Sequence, residues 1–133
     1  ALAKHAEAEL ATVAAAMMDE GRDVSGVFVL AKDLGSLGAD AMKLLADMIR
    51  ERNASSAVFF ASRADDKALL LCAATKAAVD RGIDCGAVIK AIAPVVGGGG
   101  GGRKDMAQAG GKNPAAIAEA VSAAAKKLAE SVK

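Results

Sequence analysis

Apolar residues form two patterns along the chain, short continuous runs and stripes at helical spacing. The runs are Gly26–Ala31, Ala57–Ala61 and Ala68–Ala73. Because these runs are apolar on both faces, they predict strands that are buried within a sheet. The polar segment Ser62–Lys67 between the second and third run is short. Such a connection predicts that these two strands form an antiparallel hairpin.

Four other segments carry the helical pattern, in which apolar residues recur every three or four positions with charged residues between them. These segments are Leu2–Met17, Leu37–Ile49, Ala87–Ile92 and Ile117–Leu128. Ser36 and Asp84 precede two of them and are suited to cap the helix N-terminus. Asn113-Pro114 precedes the last, and it combines a capping residue with proline at the first helical position.

With a fourth, short strand at Asp105–Ala109, the elements follow the order α-β-α-β-β-α-β-α, with a glycine-rich loop before the last strand. This order predicts an α/β fold, a small mixed β-sheet flanked by helices. The chain has 133 residues, enough for one domain with a substantial core. We expect residues 1–21 to be a helical lead-in segment and residues 22–133 to be the globular domain.

The chain begins at Ala1 rather than at methionine, which suits a fragment of a longer protein. It has no signal-peptide pattern and no apolar run near the roughly 18 residues that a membrane span requires. We therefore expect a cytoplasmic protein with no membrane partner.

The charge is near zero overall but unevenly distributed. Residues 1–52 contain 6 Lys and Arg against 9 Asp and Glu, whereas residues 53–133 contain 11 against 7. A basic second half is a weak indication of an anionic partner. The aromatic residues are three phenylalanines in apolar runs, so the chain has no Tyr or Trp platform on which bases could stack.

Residues with catalytic potential are few. Cys72 lies in an apolar run and is expected to be a buried small hydrophobe, and neither it nor Cys85 has the spacing of a metal site. His5 is the only histidine, so no Ser/His/Asp or Cys/His set can be assembled. Asp105 is better suited to cap the loop or to pair with Arg103 than to act in acid–base chemistry. We therefore expect no catalytic residue, no metal and no cofactor in this chain.

The most distinctive stretch is Gly97–Gly111, which begins with six consecutive glycines. Without Cβ atoms this backbone allows close approach of another chain, and a bound ligand would offset the entropy lost on ordering it. The N–H groups of Gly97–Gly102 can converge on an anion, and Arg103 and Lys104 supply cations for phosphate. A flexible linker is the simplest alternative, but apolar residues flank the stretch on both sides.

After the glycine run, Arg103–Gly111 reads Arg-Lys-Asp-Met-Ala-Gln-Ala-Gly-Gly. This stretch resembles the signature of the C-terminal domain of alanyl-tRNA synthetase, Gly-Gly-Gly-Arg-x-Asp-Met-Ala-Gln-(Ala/Gly)-Gly. Every fixed position matches, with Lys104 at the variable one. A more distant resemblance is to the domain that follows the DHH domain of single-strand nucleic-acid phosphoesterases, whose motif is Gly-Gly-Gly-His-x-x-Ala-Ala-Gly. Arg103 stands at the histidine position of that motif.

The resemblance implies a parent enzyme that uses ATP and Mg to join alanine to its tRNA and that carries a zinc-containing editing domain. The C-terminal domain of such enzymes contacts the elbow of alanine-specific tRNA, and it thereby helps the catalytic and editing domains act on one tRNA. The chain would then be a non-catalytic tRNA-binding domain. The candidate tRNA-contacting residues are Gly99, Gly100, Gly101, Gly102, Arg103, Lys104, Gln108 and Lys112.

Two alternatives stay open. The chain can be the substrate-binding domain of a DHH-type phosphoesterase, although Arg103–Met106 favours the synthetase. It can also be a module that chiefly forms a homodimer through the Leu2–Met17 stripe.

Overall fold

The computed structural model describes residues 12–64 and 66–132. This part of the chain forms helices and strands in an alternating order. They are α1 (residues 12–17), β1 (Arg22–Val24), β2 (Val27–Asp33), α2 (Ala39–Arg52), β3 (Ser56–Ala64), β4 (Lys67–Ala74), α3 (Lys76–Asp80), α4 (Cys85–Ile92), β5 (Gly98–Gly102), β6 (Met106–Gly111) and α5 (Ile117–Ser131). Short 3₁₀ helices, Ala93–Val96 and Pro114–Ala116, precede β5 and α5.

The strands form one mixed sheet in the order β1-β2-β3-β4-β6-β5. β2 and β3 are parallel and are joined through α2, whereas the other neighbouring pairs are antiparallel. A parallel pair needs such a crossover, and a helix is its usual form. The predicted fold class, a small mixed sheet flanked by helices, is confirmed, as is the antiparallel hairpin of β3 and β4.

Helices cover the sheet on both sides, and each side has its own core. α4 and α5 lie on one face, here called the α5-side face, where Phe59 and Leu70 are buried. α1 and α2 lie on the other, the α2-side face, where Phe60 and Leu71 are buried. Because successive side chains of a strand point to opposite faces, a strand covered on both sides must be apolar throughout. This explains the continuous apolar runs in the sequence.

The glycine run is the main difference between the predicted and the observed fold. The sequence predicted a loop, but Gly98–Gly102 forms β5, an edge strand paired with β6. Glycine has a low strand propensity, but packing against neighbours decides strand formation more than propensity does. Gly97 is the turn residue: its φ of 69° is left-handed, and it ends the preceding 3₁₀ helix.

One of the expected caps is wrong, since Gly38 rather than Ser36 is the N-cap of α2, and it makes no side-chain cap. Asn113 is an N-cap residue followed by Pro114 as predicted, but it precedes a 3₁₀ turn that leads into the last helix, and its side chain makes no capping bond. Asp84 does cap α4 as predicted, since its Oδ1 accepts a backbone N–H of the first turn at 3.1 Å.

β1 and α3 lie in segments for which the sequence predicted no element. β1 joins β2 through Ser25-Gly26, whose φ values of 50° and 92° are those of a tight two-residue hairpin turn. α3 is one short turn that Thr75 caps. α1 falls within the predicted lead-in segment, whereas Leu2 and Leu10 of its apolar stripe lie outside the described residues, so that segment stays a prediction.

The central strands should dominate stability. Phe59 of β3 is fully buried under α5, so Phe59→Ala should cost about 3–5 kcal/mol, the usual range for emptying a core site of this size. Phe28 of β2 is only partly buried, and Phe28→Ala should cost clearly less. Urea unfolding of both variants measures the difference. Equal costs would contradict the assignment of Phe59 to the core.

Candidate nucleic-acid interface

The glycine stretch and the motif that follows it form one β-hairpin. Its strands pair from Gly98 with Gly111 to Gly102 with Ala107. Residues 103–105 make the turn, which closes with a hydrogen bond of 2.8 Å from the Arg103 N–H to the Met106 carbonyl oxygen. The hairpin adds to the sheet through β6, which also pairs with β4. The motif is therefore part of the sheet rather than a loop above it.

The pairing sets the direction of every backbone group in β5. In an antiparallel ladder, successive residues direct their N–H and C=O alternately toward the partner strand and away from it. The Arg103 N–H bonds to the Met106 carbonyl oxygen on the partner strand. The alternation therefore directs the N–H and C=O groups of Gly99 and Gly101 toward β6, and those of Gly98, Gly100 and Gly102 away from it. The N–H groups do not converge on one anion, so the expected anion nest at Gly97–Gly102 is wrong.

Several glycines of the hairpin leave no room for a side chain. These are Gly98, Gly100, Gly102 and Gly111. A Cβ on Gly102 would lie 2.6 Å from the Met106 carbonyl oxygen, and a Cβ on Gly86 of α4 would lie 2.9 Å from the Gly102 carbonyl oxygen. Real Cβ atoms do not approach backbone oxygen this closely. The contact of α4 with β5 therefore requires glycine at position 86, and the pairing of β5 with β6 requires glycine at position 102.

Backbone hydrogen bonds from α4 and from β4 fix the position of the turn. The N–H of Cys85, the first residue of α4, donates to the Lys104 carbonyl oxygen at 2.9 Å, and the N–H of Ala74 donates to the Asp105 carbonyl oxygen at 2.9 Å. The side chains above are exposed. Arg103 Nε lies 3.6 Å from Asp105 Oδ1, and the Arg103 side chain is 83% exposed. An exposed ion pair of this kind adds little stability. Because the side chain is so exposed, most of the guanidinium is accessible to a ligand.

A family model, the DHHA1 domain, matches residues 26–130 of this chain. The chain belongs to the DHHA1 domain family. The solved C-Ala domain of alanyl-tRNA synthetase from Aquifex aeolicus is similar to it with a TM-score of 0.70 and 34% sequence identity, over 84% of this chain and 96% of that domain. The resemblance to the C-terminal domain of alanyl-tRNA synthetase is therefore confirmed.

Among curated relatives, the alanine–tRNA ligase of Pelotomaculum thermopropionicum is 39% identical over 105 residues, which are 79% of this chain and 12% of that enzyme. The chain thus spans about an eighth of the length of such relatives. A pGpG-specific phosphodiesterase from a Vibrio species shares the fold alone, with a TM-score of 0.55 and 8% identity over 96% of this chain and 41% of that one.

In this DHHA1 domain, most of the candidate residues lie close together. Gly99–Gly102 form one strand of the hairpin, Arg103 and Lys104 form its turn, and Gln108 lies opposite Gly101. Lys112 is not part of this group. It follows Gly111 at the open end of the hairpin, and four residue steps separate that end from the turn, on the order of 13 Å.

The sequence interpretation missed two cations beside the hairpin. Lys90 of α4 places its Cε 3.6 Å from where a Cβ on Gly101 would be. Lys67 begins β4, where the next residue pairs with Gly111, so it lies beside Lys112. Lys90 precedes the glycine run by seven positions, and only the packing of α4 on the DHHA1 sheet brings it there.

Below the turn, the DHHA1 domain holds two fully buried thiols. Cys72 of β4 and Cys85 of α4 are both free cysteines. The pKa of the Cys72 thiol is raised well above its ordinary value. The main cause is the hydrogen bond with the Cys85 thiol, and the second is burial. Protonated buried thiols are poor nucleophiles, and the expectation that Cys72 is a buried small hydrophobe is confirmed.

Other features bear less on ligand binding. A groove of about 630 Å³ lies between β1, β2 and α5, at the opposite edge of the sheet from the hairpin. Val29 and Ala31 contribute to its lining, with Arg22 and Lys126 among its charged residues. Among the described residues, no group of three His, Cys, Asp or Glu side chains is placed to hold a metal ion. In the same residues, no helix is both long and apolar enough to span a bilayer.

The packing predicts different tolerance at two glycines of the hairpin. A Cβ on Gly111 would lie 2.6 Å from Val96 Cγ2, whereas nothing lies within 4 Å of a Cβ on Gly99. Gly111→Ala should therefore cost about 1–3 kcal/mol of unfolding free energy. Gly99→Ala should be neutral or stabilising by up to about 1 kcal/mol, because it restricts the unfolded chain.

Denaturant unfolding of both variants measures these changes. Equal destabilisation by the two substitutions would be incompatible with the packing described for the hairpin.

Proposed function

We propose that this chain is the non-catalytic tRNA-binding C-terminal domain of an alanyl-tRNA synthetase. The observation that carries the proposal is the hairpin, whose turn presents the exposed cations Arg103 and Lys104 on an anchored backbone. The glycine–Arg–x–Asp–Met–Ala–Gln motif occupies this hairpin, and the C-Ala domain of Aquifex aeolicus shares the fold. Cations fixed on a rigid backbone suit phosphate contacts, which position a nucleic acid without reading its sequence.

In the proposed parent enzyme, this domain contacts the elbow of alanine-specific tRNA. It thereby helps aminoacylation and editing act on the same bound molecule. The ATP, Mg and zinc sites belong to other domains of that cytoplasmic enzyme. A domain that binds weakly by itself gains effective affinity when it is linked to those domains, because the second contact becomes intramolecular.

A second candidate is the substrate-binding domain of a DHH-type phosphoesterase. The fold shared with the pGpG-specific phosphodiesterase favours it, but the identity to that protein is only 8%. Arg103, where the phosphoesterase motif has histidine, favours the synthetase. Met17, at the end of the Leu2–Met17 stripe, is buried in the α2-side core and is not available to a second copy. Homodimer formation through the rest of the stripe is compatible with either function, and sedimentation across concentrations tests it.

Arg103 should contact phosphate. Arg103→Ala should weaken tRNA binding and reduce the slope of log affinity against log salt by about one unit, because one phosphate contact is lost. The loss should be similar for tRNAs of different identity, since phosphate carries no base information. Filter binding or anisotropy at several salt concentrations measures both quantities.

Arg22→Ala is the matched control, because Arg22 is an exposed arginine of β1 at the opposite edge of the sheet. It should leave the affinity and the salt slope close to those of the unaltered chain. The melting temperature of each sample shows whether the protein is folded. If Arg103→Ala lowered the melting temperature but changed neither affinity nor slope, Arg103 would be a bracing residue rather than a contact.

The chain alone should form no alanyl adenylate and should not deacylate mischarged tRNA. The reason is that its candidate residues are glycines, cations and one amide, which bind phosphate but provide no nucleophile or general base. ATP–pyrophosphate exchange and deacylation assays on the purified chain measure both activities. Activity above that of a mock preparation in either assay would overturn the non-catalytic assignment.

A further inference from the structure

The sheet ends at β1, and the centre of this edge strand directs its backbone groups outward. Phe28 of β2 donates its N–H to the Ser55 carbonyl oxygen beside β3 at 2.9 Å, so its backbone groups face away from β1. Asp23 lies opposite Phe28 in the ladder, and in such an antiparallel pair neither residue directs its N–H and C=O toward the other. Asp23 is exposed, and it therefore presents one donor and one acceptor to a further strand.

A groove flanks this edge on each face of the sheet. The groove of about 630 Å³ between β1, β2 and α5, here called the α5-side groove, includes Arg22 and Val24 of β1 in its lining. A second groove, here called the α2-side groove, has a volume of about 460 Å³ and includes Asp23 and Phe28. Because successive residues of a strand point to opposite faces, a strand that pairs with β1 would direct alternate side chains into the two grooves.

The α5-side groove combines an apolar floor with two cations. Val24 and Val29 from the sheet and Ala125 from α5 line it, and they suit an apolar side chain. Arg22 and Lys126 line it as well, and within the part of the chain that the structure describes neither forms an ion pair. A carboxylate would pair with these two cations while an apolar side chain on the same face of the added strand covers the floor.

The acids along this edge leave room for one more carboxylate. Glu20 is paired with Lys32, and the Asp23 carboxylate accepts the Gly26 N–H of the hairpin turn at 2.9 Å. Among the acids that line either groove in the described residues, Glu130 is the one without an ion-pair or hydrogen-bond partner. The two cations of the α5-side groove thus face one unpaired acid, and a partner with a single carboxylate balances the charges.

The α2-side groove suits an aromatic side chain. Phe28 is only partly buried there, and the exposed Arg52 lines the same groove. A ring placed over Phe28 would bury apolar area and contact the Arg52 guanidinium. Paired residues point to the same face, so the residue of an added strand that lies opposite Asp23 faces this groove. An aromatic residue between an apolar and an acidic one therefore matches the edge.

A second copy of this chain matches the edge less well. If two β1 strands paired about their centres, Asp23 would lie opposite Asp23 of the other copy, and like charges opposite each other destabilise a sheet. Arg22 would then lie opposite Val24, so the pairing would bring no carboxylate to it. A partner with a different sequence avoids both defects.

We propose that β1 binds an extended segment of another polypeptide, in which an apolar, an aromatic and an acidic residue follow one another. The segment runs antiparallel to β1 and pairs its aromatic residue with Asp23 through two backbone hydrogen bonds. The apolar residue and the carboxylate enter the α5-side groove beside Val24 and Arg22, and the ring enters the α2-side groove. The inference is independent of the proposed tRNA binding, which concerns the opposite edge of the sheet.

Hydrogen exchange at the Asp23 amide is the direct test. The isotope-labelled chain is titrated with the acetylated and amidated peptide Ser-Val-Phe-Glu-Ser and followed by NMR. Binding should slow exchange at Asp23, because its N–H becomes a donor within the sheet. The same peptide with N-methylated phenylalanine, which lacks the donor for the Asp23 carbonyl oxygen, should bind about fivefold more weakly. No binding at millimolar peptide, or slowed exchange at Gly100 of the other edge instead of Asp23, would overturn the proposal.

A matched pair of variants separates the backbone contact from the side chain. Asp23→Ala and Asp23→Pro both lose the carboxylate, but only proline also removes the outward N–H, which takes no part in the ladder with β2. Asp23→Pro should bind the peptide about fivefold more weakly than Asp23→Ala. Lys126→Ala should weaken binding about two- to fivefold, and Lys127→Ala, which does not line the groove, should leave it unchanged. If Asp23→Pro lowers the melting temperature, the N-methylated peptide and the two lysine variants decide instead.

Three further results would overturn the proposal. Equal affinity for Ser-Val-Phe-Lys-Ser would mean that no carboxylate is recognised. Dimerisation of the chain alone that Asp23→Pro abolishes and Asp23→Ala does not would make a second copy the occupant. Displacement of the bound peptide by excess tRNA would assign this edge to the nucleic acid. If the peptide binds as expected and tRNA does not bind at all, the proposed function fails and this inference stands.

Discussion

The architecture of the candidate site depends on the close approach of three backbones, those of α4, β5 and β6. Gly86 abuts the Gly102 carbonyl oxygen, and the carbonyl groups of the turn accept bonds from the first residue of α4 and from the last residue of β4. Six consecutive glycines are expensive to order by themselves. Here the ladder with β6 and the helix against the strand supply the contacts that offset this entropy. The turn side chains therefore extend from a fixed backbone.

The central part of the fold could be predicted because its local and tertiary signals agree. β3 and β4 are buried on both faces, and alternating pairs such as Phe59 and Phe60 must then both be apolar. β5 could not be predicted, because a run of glycines carries neither periodicity nor propensity, and its pairing depends on β6. The position of Lys90 beside Gly101 is likewise a product of helix packing. The turn cations could be identified because they are part of a long motif.

The comparisons establish the family of this chain, whereas the activity of its relatives belongs to much longer enzymes. The DHHA1 match and the similar C-Ala domain concern this chain almost throughout, whereas the synthetases extend far beyond it. The hairpin offers positioned charge and a flat backbone surface. Those properties suit the proposed recognition of a nucleic acid by shape. The likeness to a phosphodiesterase at 8% identity concerns the fold alone, because one fold can carry unrelated functions.

The position of α4 also bears on how the domain behaves at high concentration. An exposed edge strand can pair with the edge of another sheet, and charged side chains usually prevent this. β5 has no side chains at all, so it lacks that protection. α4 replaces it, since Gly86 covers the outward carbonyl group of Gly102 and Lys90 brings a charge beside Gly101. At the other edge, β1 is only three residues long. The helix that anchors the turn thus also covers the end of this edge strand that lies next to the turn.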